Sequence, residues 1–136
     1  MATRAHRLLS RAEKVHLRHL VEELERETGA EIATLIMPHV ADLESYATAV
    51  FNHFGIGKRE HDNGILVLVV VDRRLVRVEV GRGLEHVVTH EAASEIIDEA
   101  MIPQFRVGRY GDGLIMGVEA FARLIKEAHV QAGGTR

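Results

Sequence analysis

Two polar segments carry side chains that are suited to binding a metal ion. The first, "HDNG" at 61–64, stands directly before an apolar stretch, "ILVLVVV". The second, "GRGLEH" at 81–86, follows an alternating stretch and contributes Glu85. Carboxylate and amide oxygens are hard ligands that Ca²⁺ and Mg²⁺ prefer. Asp62, Asn63 and Glu85 are therefore the candidate ligands of a divalent cation, provided that the fold brings the two segments together.

A β-hairpin between the two segments would bring them together. Residues 65–71 have the composition of a strand that is covered on both faces, and "LVRVEV" at 75–80 alternates as in a strand with one polar face. The connection at 72–74 is short enough only for an antiparallel hairpin. Numbers of facing residues then sum to about 146, give or take one or two according to the type of turn. Gly64 is predicted to lie opposite a residue near Arg82, and Asp62 opposite Leu84 or Glu85.

We call the predicted meeting point of segments 61–64 and 81–86 the rim. Its glycines would let backbone carbonyls approach an ion, and His61 belongs to it by position. Further candidate ligands near the rim are Arg82, His86, His90 and Asp98. A simpler interpretation is also open, in which Asp62 caps its own loop and Glu85 pairs with Arg82 or Arg59.

The composition limits the other functions. The chain has 136 residues and is 46% hydrophobic, as expected for one globular domain at 1–130 and a short flexible tail at 131–136. It lacks cysteine, which excludes disulfides and thiolate catalysis. Its net charge of −3, with both signs interspersed, argues against a nucleic-acid partner. We find neither a signal peptide nor an apolar run that could span a bilayer, and therefore expect a cytoplasmic protein.

The remaining sequence predicts the elements that must hold the rim. Ser10 and Glu13 fit a capping box at the start of a helix that Gly29 ends. A buried strand at 30–38 and a helix from Asp42 to Gly55 precede the hairpin. Thr89 is expected to cap a helix that is interrupted at Pro103, and a last helix begins near Tyr110. This order predicts an α/β fold: a three-layer α/β/α sandwich whose small mixed sheet contains the antiparallel hairpin, with helices on both faces.

Two longer stretches resemble a known family. "DNGILVLVVVDRRLVRVEVGRGLE" followed by "IIDEAMIPQFRVGRYGDGLIMGV" is similar to the TPM domain of thylakoid-lumen, photosystem II-associated and nematode receptor-modulating proteins, and the likeness runs from about residue 9 to 125. The resemblance implies an α/β/α sandwich that binds divalent metal ions. The family's acidic rim would fall on Asp62, Asn63 and Glu85. A plant chloroplast member is described as an acid phosphatase.

The sequence departs from the family pattern in ways that affect the expected ion. The family commonly has an aromatic residue where Arg82 stands, and often an aspartate where His90 stands. It usually carries an export signal and a hydrophobic or glycine-rich C-terminus, and we recognise neither pattern in residues 1–136. An imidazole in place of a carboxylate favours Zn²⁺ or Ni²⁺ over Ca²⁺ or Mg²⁺.

Two functions are compatible with these residues. The favoured one is a non-catalytic binding or regulatory module, in which the metal orders a surface for a protein partner, since the sequence does not identify a nucleophile. The alternative is a metal-dependent phosphatase that hydrolyses phosphomonoesters with metal-activated water. Arg82 or His86 would then meet the phosphate.

Overall fold

Helices and strands follow one another in the order that the sequence predicts. The structure is a computed structural model that describes residues 9–53 and 62–133. Its elements are α1 (Arg11–Thr28), β1 (Glu31–Met37), α2 (Leu43–His53), β2 (Gly64–Val70), β3 (Leu75–Val80), a 3₁₀ turn (Arg82–Leu84), α3 (His90–Ile96), a π-helical segment (Ile97–Met101), α4 (Ile102–Arg106) and α5 (Tyr110–Gln131). Gly55, where we expected α2 to end, and His61 lie outside the described residues.

The three strands form one mixed sheet in the order β1-β2-β3. β1 runs parallel to β2, from the pair Glu31 and Gly64 onward, and β2 runs antiparallel to β3. Every residue of the central strand β2 is buried. The continuous apolar run in β2 thus reflects cover on both faces of the sheet, as predicted.

Helices cover the sheet from both sides. On one face, Ile65, Val67 and Val69 belong to the same buried cluster as residues of α1 and α5, among them Leu24 and Phe121. On the other face, a smaller cluster joins β2 to α2 and to the loop before it, through Leu68, Val70, Ala47 and Val40. The predicted three-layer α/β/α arrangement is confirmed.

Local signals place the ends of α1 as predicted. The Ser10 amide donates to Glu13 Oε1 at 2.8 Å, and the Glu13 amide donates to Ser10 Oγ at 3.0 Å, which completes the capping box. Gly29 ends the helix with a φ of 82°, a left-handed conformation that glycine adopts without steric cost.

The break predicted at Pro103 takes the form of the π-helical segment just before it. Proline has no amide hydrogen to donate to the carbonyl four residues earlier, so the regular helical ladder is interrupted there. Met101, at the end of the segment, is fully buried. A side chain at Gly113 would come within 3.0 Å of the Met101 carbonyl oxygen, and one at Gly117 within 2.8 Å of Met101 Cγ. The interrupted helix therefore packs closely on two glycines of α5.

A salt bridge joins α1 to α5 on the surface. Lys126 Nζ lies 2.9 Å from Glu23 Oε1 and 3.8 Å from Glu27 Oε2. The hydrogen bond from Lys126, together with its charge, lowers the pKa of the Glu23 carboxyl below its usual value. None of the helices in the described ranges is both long and apolar enough to cross a lipid bilayer.

Replacing Lys126 with methionine should raise the pKa of Glu23, because the group that lowers it is gone. A carboxyl whose pKa is lowered on folding stabilises the folded state above its ordinary pKa, and that contribution is lost as the pH falls through the lowered value. The effect can be measured by carbon-detected NMR titration of the Glu23 carboxyl. Lys14→Met, which removes an exposed lysine of α1, is the control and should leave the pKa of Glu23 unchanged. An unchanged Glu23 midpoint in the Lys126 variant would contradict the prediction.

Candidate functional site

The hairpin brings the two polar segments together as predicted, with a pairing that is one residue from the central expectation and within its margin. The Gly81 amide donates to the Gly64 carbonyl at 2.8 Å, and the Gly83 amide donates to the Asp62 carbonyl at 3.0 Å. Gly64 therefore faces Gly81, and Asp62 faces Gly83 rather than Leu84 or Glu85. The shift arises because the connection has four residues, 71–74, where three were expected.

At Gly81 the two arms of the rim approach so closely that a side chain does not fit. A Cβ atom there would overlap the Asp62 carbonyl oxygen and lie 2.8 Å from the Asp62 carbonyl carbon and 3.2 Å from the Gly64 nitrogen. Gly81 has a φ of −66°. Lack of space, and not an unusual backbone angle, is thus what requires glycine at this position.

Asp62 occupies a costly backbone conformation. Its φ is 49°, in the left-handed region, where aspartate and asparagine are found more often than other residues that carry a side chain. Such a conformation costs on the order of 1 kcal/mol and persists where surrounding contacts hold it. The bond from Gly83 fixes the Asp62 carbonyl, while the residue itself is exposed. The backbone of Asp62 is therefore fixed and its carboxylate is open to solvent.

Asn63 connects the rim to the junction between α1 and β1. Its side-chain Nδ2 donates to the Gly29 carbonyl at 2.8 Å, and its own carbonyl accepts from the Glu31 amide at 3.0 Å. Sequence reasoning treated Asn63 as a ligand and missed this structural contact. Gly29 lies just before β1, and Asn63 lies just before β2. Because adjacent parallel strands begin at the same edge of a sheet, the pairing of β1 with β2 would have revealed the contact between Asn63 and Gly29.

The second arm of the rim is a 3₁₀ turn that is anchored by Leu84. Leu84 is 7% exposed, whereas Arg82, Glu85 and His86 are exposed. The Glu85 amide approaches the Arg82 carbonyl at 3.4 Å at the end of the turn. The turn thus holds Glu85 on the same edge of the sheet as Asp62. Glu85 lies two residues beyond Gly83, whose amide donates to the Asp62 carbonyl.

The other predicted ligands lie on the helices after the rim. Thr89 caps α3 as expected, since its Oγ1 accepts from the Ala92 amide at 3.1 Å. His90 is the first residue of α3, Asp98 lies in the π-helical segment, and both are exposed. Within residues 9–53 and 62–133, no three histidine, aspartate or glutamate side chains are gathered as a metal-binding group. The role of His86, His90 and Asp98 as ligands stays a prediction.

The donor atoms of the rim match one class of ion better than another. Asp62 and Glu85 offer exposed carboxylate oxygens, and Asn63 adds an amide whose nitrogen is held by Gly29. Oxygen donors of this kind fit Ca²⁺ or Mg²⁺, with water completing the coordination. Zn²⁺ or Ni²⁺ would need His86 or His90 to join the two carboxylates.

The protein is a small α/β/α domain, in which a mixed three-stranded sheet lies between helices. The rim, with its two carboxylates and its close contact at Gly81, lies at one end of the sheet. The family model described as the TPM domain matches residues 3–124. The chain therefore belongs to the TPM domain family, as its sequence motifs indicated.

Solved structures share this fold. The chain is 32% identical to the N-terminal domain of a protein from P. gingivalis, with a TM-score of 0.81, covering 89% of this chain and 78% of that one. The BA42 protein of the psychrophilic bacterium Bizionia argentinensis is 22% identical, with a TM-score of 0.75 and coverage of 88% and 82%. The N-terminal domain of a Corynebacterium glutamicum protein is 10% identical, with a TM-score of 0.65 and coverage of 85% and 72%. No curated protein matches the chain.

Proposed function

We propose that this TPM domain is a non-catalytic binding module that takes up one divalent cation at the rim, through Asp62, Asn63 and Glu85. The ion is Ca²⁺ or Mg²⁺, because the donors at these positions are oxygens. An ion held there would neutralise the two carboxylates and could attract an acidic group of a protein partner.

The backbone of Asp62 is the observation that carries this proposal. A left-handed aspartate is held in place by the Gly83 amide, while the carboxylate is left exposed. Glycine or asparagine would adopt this backbone at lower cost. Strained backbone conformations cluster at functional positions, and the strain at this exposed aspartate motivates a functional hypothesis for its carboxylate.

The rim is also built to present ligands without rearranging its backbone. Hydrogen bonds between the two arms hold the carbonyls of Asp62 and Gly64, and the arms are in close contact at Gly81. Only the two carboxylate side chains need to turn toward an ion. A fixed backbone reduces the ordering cost of binding, which favours a site that holds its ion reversibly at the surface.

Asp62→Asn should weaken cation binding strongly while the fold survives. Asparagine has nearly the same shape and tolerates the left-handed backbone, but it lacks the charge. We expect the affinity for Ca²⁺ to fall by roughly tenfold or more, since a charged ligand is lost. Calorimetry on chelator-treated protein, with Ca²⁺, Mg²⁺, Zn²⁺ and Ni²⁺ as titrants, measures the affinity, and amide NMR shifts at 62–64 and 81–90 locate the ion.

Glu22→Gln is the matched control, because Glu22 is an exposed carboxylate on α1, away from the rim. This variant should bind as the wild type does. Equal binding by Asp62→Asn and the wild type, or the lack of any saturable shift at the rim, would refute the proposal. A preference for Zn²⁺ or Ni²⁺ would show that a histidine has joined the site.

Turnover of phosphomonoesters separates this function from the phosphatase alternative. A module that only binds should not hydrolyse 4-nitrophenyl phosphate with any of the four ions. Turnover that requires an ion and disappears in Asp62→Asn would replace the proposal with a metal-dependent phosphatase that uses metal-activated water. Turnover that persists in the variant would point to contamination.

A further inference from the structure

β3 is an edge strand of the sheet. In the described part of the chain, β2 is the only strand that pairs with it. Residues 75–80 contain neither proline nor glycine, two residues that often interrupt the edges of sheets. A regular edge of this kind is a surface to which another β-strand can pair through its backbone.

The backbone groups that point outward from β3 belong to its three valines. The Gly81 amide donates to the carbonyl of Gly64, the residue directly opposite, at 2.8 Å. Hydrogen-bonded positions alternate along an antiparallel strand, so positions 79, 77 and 75 also direct their amides and carbonyls toward β2. The positions between them direct these groups away from β2, and they are Val76, Val78 and Val80.

The side chains of β3 form a charged face and an apolar face. On the face that α2 covers, Arg77 Nη2 lies 2.9 Å from Glu79 Oε2 and 3.3 Å from Glu44 Oε1. The Arg77 side chain is 38% exposed, and a guanidinium has enough donors to bind a further carboxylate. On the opposite face, the three valines pack against the larger core cluster and are only partly buried.

Two antiparallel β3 strands complement each other when Val78 faces Val78 of a second copy. A two-fold axis then passes between these residues, and Val76 of each copy faces Val80 of the other. These are the positions whose backbone groups point outward, so each facing pair can exchange two hydrogen bonds. Arg77 lies opposite Glu79 on both sides of the axis, at positions where the side chains of antiparallel strands come closest.

The two adjacent registers bring like charges together. Moving the axis by one residue places either Arg77 opposite Arg77 or Glu79 opposite Glu79. Like charges directly opposite each other are destabilising, whereas opposite charges stabilise a pair of strands. The other edge strand, β1, carries one charged residue, Glu31, and offers no such pairing. Charge therefore favours β3 over β1, and it favours the register centred on Val78.

We propose that this domain forms a homodimer through its β3 edges, so that the three strands of each copy join into one six-stranded sheet. Arg77 and Glu79 of the two copies form an alternating network of four charges on one face, and the valines pack across the axis on the other. The partner is a second copy of this chain, because the charges and the outward backbone groups of β3 are complementary to themselves under two-fold symmetry.

The oligomeric state of the full chain tests the proposal. Sedimentation equilibrium from micromolar to millimolar concentration should give a mass that rises from that of one chain toward that of two. Amide NMR shifts at residues 76–80 should change over the same range. The experiment is done in the presence of chelator, so its result does not depend on a cation at the rim. A protein that stays monomeric at millimolar concentration would overturn the proposal.

Two charge reversals test the pairing itself. Arg77→Glu gives β3 two negative charges at these positions, and Glu79→Arg gives it two positive ones. Each variant alone should associate at least roughly tenfold more weakly than the wild type, because like charges face each other across the axis. An equimolar mixture should regain the association, because a negative strand then faces a positive one. Arg18→Glu, the same reversal on the exposed side of α1, is the control and should associate normally.

Regained association in the mixture would also show that both variants fold. Two results would contradict the interface: association of either variant alone as strong as that of the wild type, or a mixture that stays monomeric although both variants keep a dispersed amide spectrum.

Val78→Pro is an independent check on the backbone. The Val78 amide points away from β2, so proline spares the pairing within the domain and removes the central hydrogen bonds between the copies. This variant should be monomeric. A folded Val78→Pro variant that dimerises like the wild type would exclude the β3 edge as the contact.

Discussion

Replacing Gly81 with alanine should open the rim and lower the free energy of unfolding by roughly 3 kcal/mol. The added methyl group would overlap the Asp62 carbonyl oxygen, which belongs to the backbone and has no rotamer to escape into. The arms must therefore separate, and the bonds from Gly81 to Gly64 and from Gly83 to Asp62 lengthen or break. Overpacking and the loss of two hydrogen bonds add in the same direction.

Urea unfolding measures the stability, and amide hydrogen exchange at Gly83 reports whether the rim has opened. Gly108→Ala is an informative comparison, because Gly108 has a φ of 79° and, beyond its chain neighbours, no atom of the described residues lies within 4 Å of the added Cβ. It should cost only about 1 kcal/mol, through backbone strain alone. Similar costs for both variants, with Gly83 still protected from exchange, would show that the contact at Gly81 is not tight.

The sequence was informative wherever one short stretch determines a structure. Ser10 and Glu13 satisfy each other within one helical turn, and Gly29 ends that helix by its own backbone preference. The hairpin was likewise predictable, since a connection of a few residues allows only antiparallel pairing. Its register lies one residue from the central expectation and within the predicted margin, because apolar Val71 reads as strand but belongs to the connection.

Contacts between distant segments escaped sequence reasoning. The bond from Asn63 to Gly29 and the pair of His39 with Asp72 both depend on how β1 aligns with β2. That alignment is set by the packing of the helix between the two strands, and no local pattern encodes it. Knowing that β1 and β2 were parallel neighbours would have placed both contacts, one at each edge of the sheet.

The candidate site shows the same division. Sequence reasoning located the rim, because a hairpin must bring its two ends together. It could not predict that Asp62 adopts a left-handed backbone or that Asn63 serves the fold with its side-chain nitrogen. Those features depend on the space between the two arms of the rim. That space is determined by the register of the hairpin and by the 3₁₀ turn at Arg82–Leu84.

Replacing Phe105 with alanine should destabilise the domain by roughly 4 kcal/mol, the largest effect that we predict for one substitution. Phe105 is fully buried, and its ring stacks on Tyr110 with centroids 5.1 Å apart and an interplanar angle of 21°. Its edge also contacts Gly113, where a Cβ atom would lie 2.9 Å from Phe105 Cδ1. Truncation leaves a cavity that neither the glycine nor the tyrosine can fill.

Phe51→Ala is the control, because it removes the same atoms from a half-buried position on α2 and should cost about 1 kcal/mol. Phe105→Leu should cost roughly 1.5 kcal/mol, since most of the volume is kept. Urea unfolding of the three variants decides the order, and equal losses at Phe105 and Phe51 would contradict it. The predicted order gives "MIPQFRVGRYGDG", one of the stretches that mark this family, a structural explanation. Its aromatic residues and Gly113 pack the interrupted helix closely against α5.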